Sequence, residues 1–233
     1  MTLEEEINLF LQTKGVDYIE YIDISGLSNK ENKGFNHAIL IGKSLSPLFI
    51  KHMNEKPDYL QELKSKDETD DFHLKEKETH IIADELAKLI SNKAYKAYSQ
   101  SDNHILKTGF FNPKSKTTPL PHKTIALLGG KGWIGKNNLF TMPEYGSAIS
   151  LCSVLTNAPI KSNRKPPLLP KCGTCSLCTD ICSTGAIKGK LWTKTGCRED
   201  IIDVHSCKTC LQCISICPYT QKYMRRALQQ KRI

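Results

Sequence analysis

The chain has 233 residues, 39% of them apolar and 24% charged, with a formal net charge of +9 and ten cysteines. No run of eighteen apolar residues occurs, which excludes a helical membrane span, and Glu4, Glu5 and Glu6 stand where a secretory signal needs basic residues before an apolar core. The expected location is therefore cytoplasmic, where thiols stay reduced, and ten cysteines are expected to serve metal rather than disulfides.

Thr2 and Glu5 have capping-box spacing, and Leu3, Ile7, Phe10 and Leu11 recur at helical intervals until Gly15, which predicts an opening amphipathic helix. Residues 16–25 carry Val16, Tyr18, Ile22 and Ile24 on one face at period two, and residues 38–41 form a short apolar run; both predict strands. Residues 45–53 and the long stretch 57–98 predict helices, the latter with Ile81, Ile82, Leu86 and Leu89 on its apolar side, and residues 104–116 predict a loop. A Gly-rich loop and a further strand candidate at 147–155 complete an α/β or α+β sandwich over residues 1 to about 160, the α+β class being the one expected of the chain. Pro159, Pro166, Pro167 and Pro170 cannot sustain a helix or a central strand, so a domain boundary is expected there, dividing the chain into residues 1–163 and 164–233.

The charge is unevenly placed. Between Lys88 and Lys136 the sole acid is Asp102, and no acid follows Asp203. A basic face of this kind suits nucleic acid, a phosphorylated cofactor or an acidic redox partner, and equally a merely solvated surface.

Cys172, Cys175, Cys178 and Cys182 have the spacing C-x2-C-x2-C-x3-C, which Cys207, Cys210, Cys213 and Cys217 repeat, the second time followed by Pro218. Three thiolates on one tight loop reach three corners of one 4Fe-4S cubane, while the fourth points away to the other cluster. The expected ligand sets are Cys172, Cys175, Cys178 and Cys217, and Cys207, Cys210, Cys213 and Cys182. Amides of Ser183, Thr184, Gly185 and Ala186 stand where they would tune cluster potential by hydrogen bonding. The rival is a pair of zinc sites, but zinc ribbons have no use for the third and fourth cysteines at these spacings in both halves. Cys152 reads as a buried inert thiol, and Cys197 as a bystander or reserve ligand.

Gly130, Gly132 and Gly135 spell G-x-G-x-x-G, and residues 130–137 nearly spell a phosphate-binding loop with Asn137 in place of Ser or Thr. The hydroxyl for magnesium and the acidic residue for a ribose are both missing. The loop instead offers backbone amides, Lys136 and the flat Trp133, which suit the lining of a bulky cofactor or a tight turn packed by Trp133.

The runs PLPHKTIALLGGKGWIGKNNL (119–139), EYGS (144–147), VLTNAP (154–159) and CPYTQKY (217–223), with the double cysteine motif between the last two, resemble the epoxyqueuosine reductase family, distant kin of corrinoid reductive dehalogenases. The resemblance implies a nitroreductase-like α/β domain over 1–163 that cradles cobalamin, and a ferredoxin-like module over 164–233, ending in a basic tail, that delivers electrons to it. Gly132, Trp133, Gly135, Lys136, Asn137, Tyr145, Gly146 and Ser147 would line or support the cofactor cavity.

The implied activity is that of an iron-sulfur oxidoreductase, with a redox partner protein as donor, a corrinoid or small molecule as acceptor, and no membrane partner. One alternative is a ferredoxin-like carrier or activator with no substrate of its own. Another is a queuosine-modifying reductase that sets Lys222, Arg225, Arg226, Lys231 and Arg232 against tRNA phosphates. The long enzymes place a proton-donating Asp where Lys116 stands here, and they extend beyond the clusters into helical repeats; both departures disfavour tRNA as partner. His122 is a substitute proton donor or a structural residue.

Overall fold

A computed structural model describes residues 1–230; Lys231 and Arg232 of the basic tail lie outside the described residues. Two compact units divide the chain. Unit 1 gathers residues 1–43, 75–130 and 150–166, and unit 2 gathers residues 44–74, 131–149 and those from Pro167 onward. The last changeover, between Pro166 and Pro167, lies close to the expected boundary at 163, within the proline-rich stretch. Residues 44–74 and 131–149 nevertheless group with the cysteines, which sequence order alone does not reveal.

Elements are numbered in chain order. In unit 1, α1 (Leu3–Thr13) begins with the expected capping box: Glu5 N donates to Thr2 Oγ1 at 3.2 Å, and Thr2 N to Glu5 Oε2 at 2.7 Å. A four-stranded sheet has the order β1-β2-β6-β3, from β1 (Tyr18–Asp23), β2 (His37–Ser44), β3 (Ala97–Ser99) and β6 (Ile149–Thr156). β1 runs antiparallel to β2 with Tyr18 opposite Gly42, and β3 antiparallel to β6 with Ala97 opposite Thr156. Residues 38–42 of β2 are buried on both faces, as a continuous apolar run in a central strand requires. On one face Ile39, Ile41, Cys152 and Val154 meet Ile7 and Leu11 of α1 and Ile82, Leu86 and Ile90 of α5 (Asp71–Ser91). The short α2 (Asn29–Asn32), α6 (Asp102–Lys107) and α7 (His122–Leu128) complete the unit.

Two expectations are corrected here. Residues 57–98 are not one helix: Asp67 takes a left-handed conformation (φ 56°), Asp70 caps a fresh start by accepting from His73 N at 3.0 Å, and Ala94 (φ 64°) ends α5 before the chain turns into β3. The 104–116 loop begins inside α6, whose six residues are too few to show a helical period.

In unit 2, α3 (Pro47–Glu55) starts on a proline, whose fixed φ and missing N–H suit a first turn. It packs with α4 (Tyr59–Ser65), α9 (Gln212–Ser215) and α10 (Pro218–Gln230) around Leu45, Phe49, Ile50, Met53, Leu211, Ile214, Tyr223 and Met224. The Gly-rich segment forms a small ladder, β4 (Trp133–Ile134) against β5 (Phe140–Thr141), and α8 (Leu177–Asp180) follows the first cysteine loop. Among the described residues no helix is long and apolar enough to cross a membrane.

Candidate metal centre

The two cysteine motifs, distant in sequence, form two cavities inside unit 2, and each cavity is lined by four cysteines. The first, about 330 Å³, is lined by Cys172, Cys175, Cys178 and Cys217. The second, about 160 Å³, is lined by Cys182, Cys207, Cys210 and Cys213. Each set takes three thiols from one motif and the fourth from the other. The electrostatics repeat the grouping. Burial pushes the Cys178 thiol up; a hydrogen bond to Thr179 opposes this, and Cys172, Cys217 and Cys175 add to it. Cys213 is likewise pushed up, first by burial and then by Cys210, Cys178, Cys207 and Cys182. Cys178 thus belongs to one set and also acts electrostatically on Cys213 of the other.

The motif turns explain the convergence. Cys175 N donates to Cys172 O at 2.9 Å, closing the first loop. Lys136 Nζ donates to Gly173 O and to Cys175 O, both at 2.9 Å, which clamps that loop from the Gly-rich segment. Cys217 directly precedes α10, where the N–H groups of Tyr219 and Thr220 point at its sulfur and offset a rise that burial dominates. Cys182 ends lower than a free thiol: burial works against the thiolate, but the N–H groups of Ile187, Thr184 and Ala186 and the Thr184 hydroxyl outweigh it. Two of the four small residues expected to supply such contacts, Thr184 and Ala186, therefore do so.

These residues suit an iron-sulfur cluster better than zinc. Zinc–sulfur bonds of about 2.3 Å would draw the four sulfurs of a tetrahedron to about 3.8 Å. Cavities of about 330 and 160 Å³, each lined by four cysteines, leave space for a larger group among the thiols. Substituting Lys136→Met removes two charge-assisted hydrogen bonds at about 1.5–3 kcal/mol each. Iron loss to a chelator from the first set is then expected to quicken by roughly tenfold or more, measured as absorbance decay; an unchanged rate would show that the clamp is idle.

The eight residues expected to line a cofactor cavity fall into two groups. Gly135, Lys136 and Asn137 line the first cysteine cavity, and Asn137 also borders the second. The other five pack within unit 2. Trp133 is 1% exposed and meets Tyr219 edge-on at 4.9 Å. Gly132 lies against Phe140 and Thr141, and Gly146 against Thr220. Ser147 is buried and bonded to Thr141 and Asn137, while Tyr145 meets Tyr223 edge-on at 5.3 Å. Cys152 is fully buried in β6, and Cys197 is exposed.

No family model matches the chain. Over 71 residues, 30% of this chain, it is 38% identical to the epoxyqueuosine reductase of Bacillus anthracis, covering 18% of that protein. Over 71 residues, again 30% of the chain, it is 44% identical to the epoxyqueuosine reductase of Synechococcus sp. strain CC9605, covering 22% of it. The matched stretch thus spans about one fifth of these relatives' length. In fold, the chain is similar to an epoxyqueuosine reductase solved with an epoxyqueuosine-modified tRNA-Tyr stem loop, at TM-score 0.56 and 18% identity, over 94% of this chain and 65% of that one. It is also similar to the catabolic reductive dehalogenase NpRdhA, at TM-score 0.61 and 14% identity, over 96% and 33% of the two chains. A reductive dehalogenase described as B12-dependent matches at TM-score 0.52 and 14% identity, over 78% and 25%. The chain is therefore kin in sequence to the epoxyqueuosine reductases over this stretch and shares a mixed α/β fold with both groups.

Proposed function

We propose that the chain is an iron-sulfur oxidoreductase of epoxyqueuosine reductase type, in which two 4Fe-4S clusters pass single electrons to an acceptor. The observation that carries this reading is the pair of four-cysteine cavities, each built from three thiols of one motif and one of the other. The clusters, when bound, supply one-electron redox chemistry within a range of roughly -700 to +450 mV.

The chain's own residues set the conditions. Cys178 of the first set acts electrostatically on Cys213 of the second. Cys207 and Cys210 are exposed, so the second set presents a side to a redox partner, whereas the four thiols of the first are each only partly exposed. Peptide N–H groups at Cys182 and Cys217 favour the more negative, reduced form. The ferredoxin-like and nitroreductase-like characters of the two halves belong to this proposal.

A corrinoid is the acceptor that the resemblance implies, supported by the likeness in fold to a dehalogenase described as B12-dependent. The tRNA reading draws on the relative solved with a tRNA stem loop. In this chain Arg226 already donates to Glu144 O and Lys222 lines the first cavity, which leaves Arg225 as the residue of the basic set on α10 with neither engagement.

The test is an anaerobic titration with a one-electron reductant. Two electrons per chain are expected to bleach the sulfur-to-iron absorption, and the reduced protein is expected to reduce added cobalamin. A chain that takes up no electrons contradicts the proposal, and a chain that cycles both clusters yet leaves cobalamin untouched moves the acceptor to another protein.

A further inference from the structure

Unit 1 contains a second set of metal-ligating side chains. His80 comes from α5, His122 from the first turn of α7 and Cys152 from β6, and a ring nitrogen of each histidine and the Cys152 sulfur lie within 4.8 Å of one another. Cys152 is wholly enclosed, whereas the His80 side chain keeps 17% of its surface exposed, so the group is reachable from one side.

The hydrogen bonds around the trio determine its proton arrangement. Gln100 Nε2 donates to Leu120 O at 2.9 Å, and a backbone carbonyl accepts only, which orients the amide. Gln100 Oε1 therefore accepts the Ser153 hydroxyl at 2.7 Å. With that proton committed, Ser153 Oγ can only accept from His122 Nδ1, 2.9 Å away. His122 is left with its proton on Nδ1 and a lone pair on Nε2, the tautomer that outer hydrogen bonds impose on metal-ligating histidines. The Asp102 carboxylate stands 3.9 Å from His80 Nδ1, and Asp84 accepts from Ser101 Oγ at 2.6 Å.

Titration behaviour agrees. Burial, with His80 adding in the same sense, lowers His122 to about 3, so its imidazole is neutral at physiological pH. The Cys152 thiol is pushed up, mainly by burial; a hydrogen bond from Ser153 N opposes this, and the negative field of Asp84, Asp102 and Glu76 adds to it. That field opposes a bare thiolate and favours a cation, which on binding would displace the thiol proton.

We infer that His80, His122 and Cys152 form a binding site for a zinc-class divalent cation, with two nitrogen ligands, one sulfur ligand and a fourth position open toward the His80 side. Two imidazoles and one thiolate match the ligand preference of borderline-soft ions, and three protein ligands with an open position is an established zinc arrangement. Bound there, the ion would tie α5, α7 and β6 of unit 1 together.

The test uses the full chain with its iron-sulfur sites loaded, stripped of loose metal and titrated anaerobically with zinc against a chromophoric chelator. One zinc per chain is expected, and its X-ray absorption fine structure should show one sulfur at about 2.3 Å and two imidazole nitrogens at about 2.0 Å. Ser153→Ala should weaken binding about 10- to 100-fold by freeing the His122 tautomer, and Cys152→Ala or His80→Gln by more than that range, with iron per chain unchanged. His80 is partly exposed, so His80→Gln keeps the test decisive if Cys152→Ala does not fold. No zinc on the native chain, a four-sulfur shell, or equal affinity in His80→Gln would each overturn the site.

Discussion

Cys217→Ser is expected to abolish the same cluster signal as Cys172→Ser, and Cys182→Ser the same signal as Cys207→Ser, with iron falling from about eight to about four per chain in each case. The expectation follows from the cavities: Cys217 lines the one built by the first motif, and Cys182 the one built by the second. The N–H groups of Tyr219 and Thr220 and those of Thr184, Ala186 and Ile187 hold these two crossing sulfurs in place. Electron paramagnetic resonance of the reduced variants, with iron and sulfide counts, checks the pairing. If Cys217→Ser instead silenced the signal lost in Cys207→Ser, each motif would be closing its own cluster and the crossed assignment would be wrong.

Gly146→Ala should be the most damaging single-atom change in unit 2. Gly146 has φ +61°, a region that disfavours alanine, and an added Cβ would overlap Thr220 N and lie 2.6 Å from Thr220 Cα and Oγ1. Backbone rather than a flexible side chain must yield, so a cost of about 3–5 kcal/mol is expected, at the severe end for point changes. Thr220 N–H also points at Cys217, and Thr220 Oγ1 accepts from Ser147 N at 3.1 Å, so the damage should reach the first cluster. Denaturant unfolding and iron retention of the variant check this together; a variant with native stability and full iron content would show that the contact relaxes freely.

The cysteine centre was legible in the sequence because its logic is local. Three thiols on a seven-residue stretch can face one cubane, and the fourth cannot, so spacing alone predicts the crossing that the two cavities display. The Gly-rich loop was less legible because its glycines answer to partners far along the chain. Gly146 is small for Thr220, and Gly130 for Lys165 and Pro166, constraints that a G-x-G-x-x-G pattern does not announce. The same limit applies to Trp133, whose edge-on contact with Tyr219 spans residues far apart in the chain.

The assignment of residues 57–98 to one helix failed because Asp67, Asp70 and Ala94 are unremarkable as letters, yet they break, restart and end the segment. The His80, His122 and Cys152 trio was invisible for a related reason. Its members come from two helices and a strand with no shared spacing, and only the sheet topology brings them together.

The central claim is that eight thiols hold two iron-sulfur cubanes, and the direct measurement is iron, acid-labile sulfide and zinc per chain after purification without oxygen. About eight iron atoms and about eight sulfides per chain are predicted. Zinc in the motif cysteines, with no labile sulfide and no iron, would contradict it.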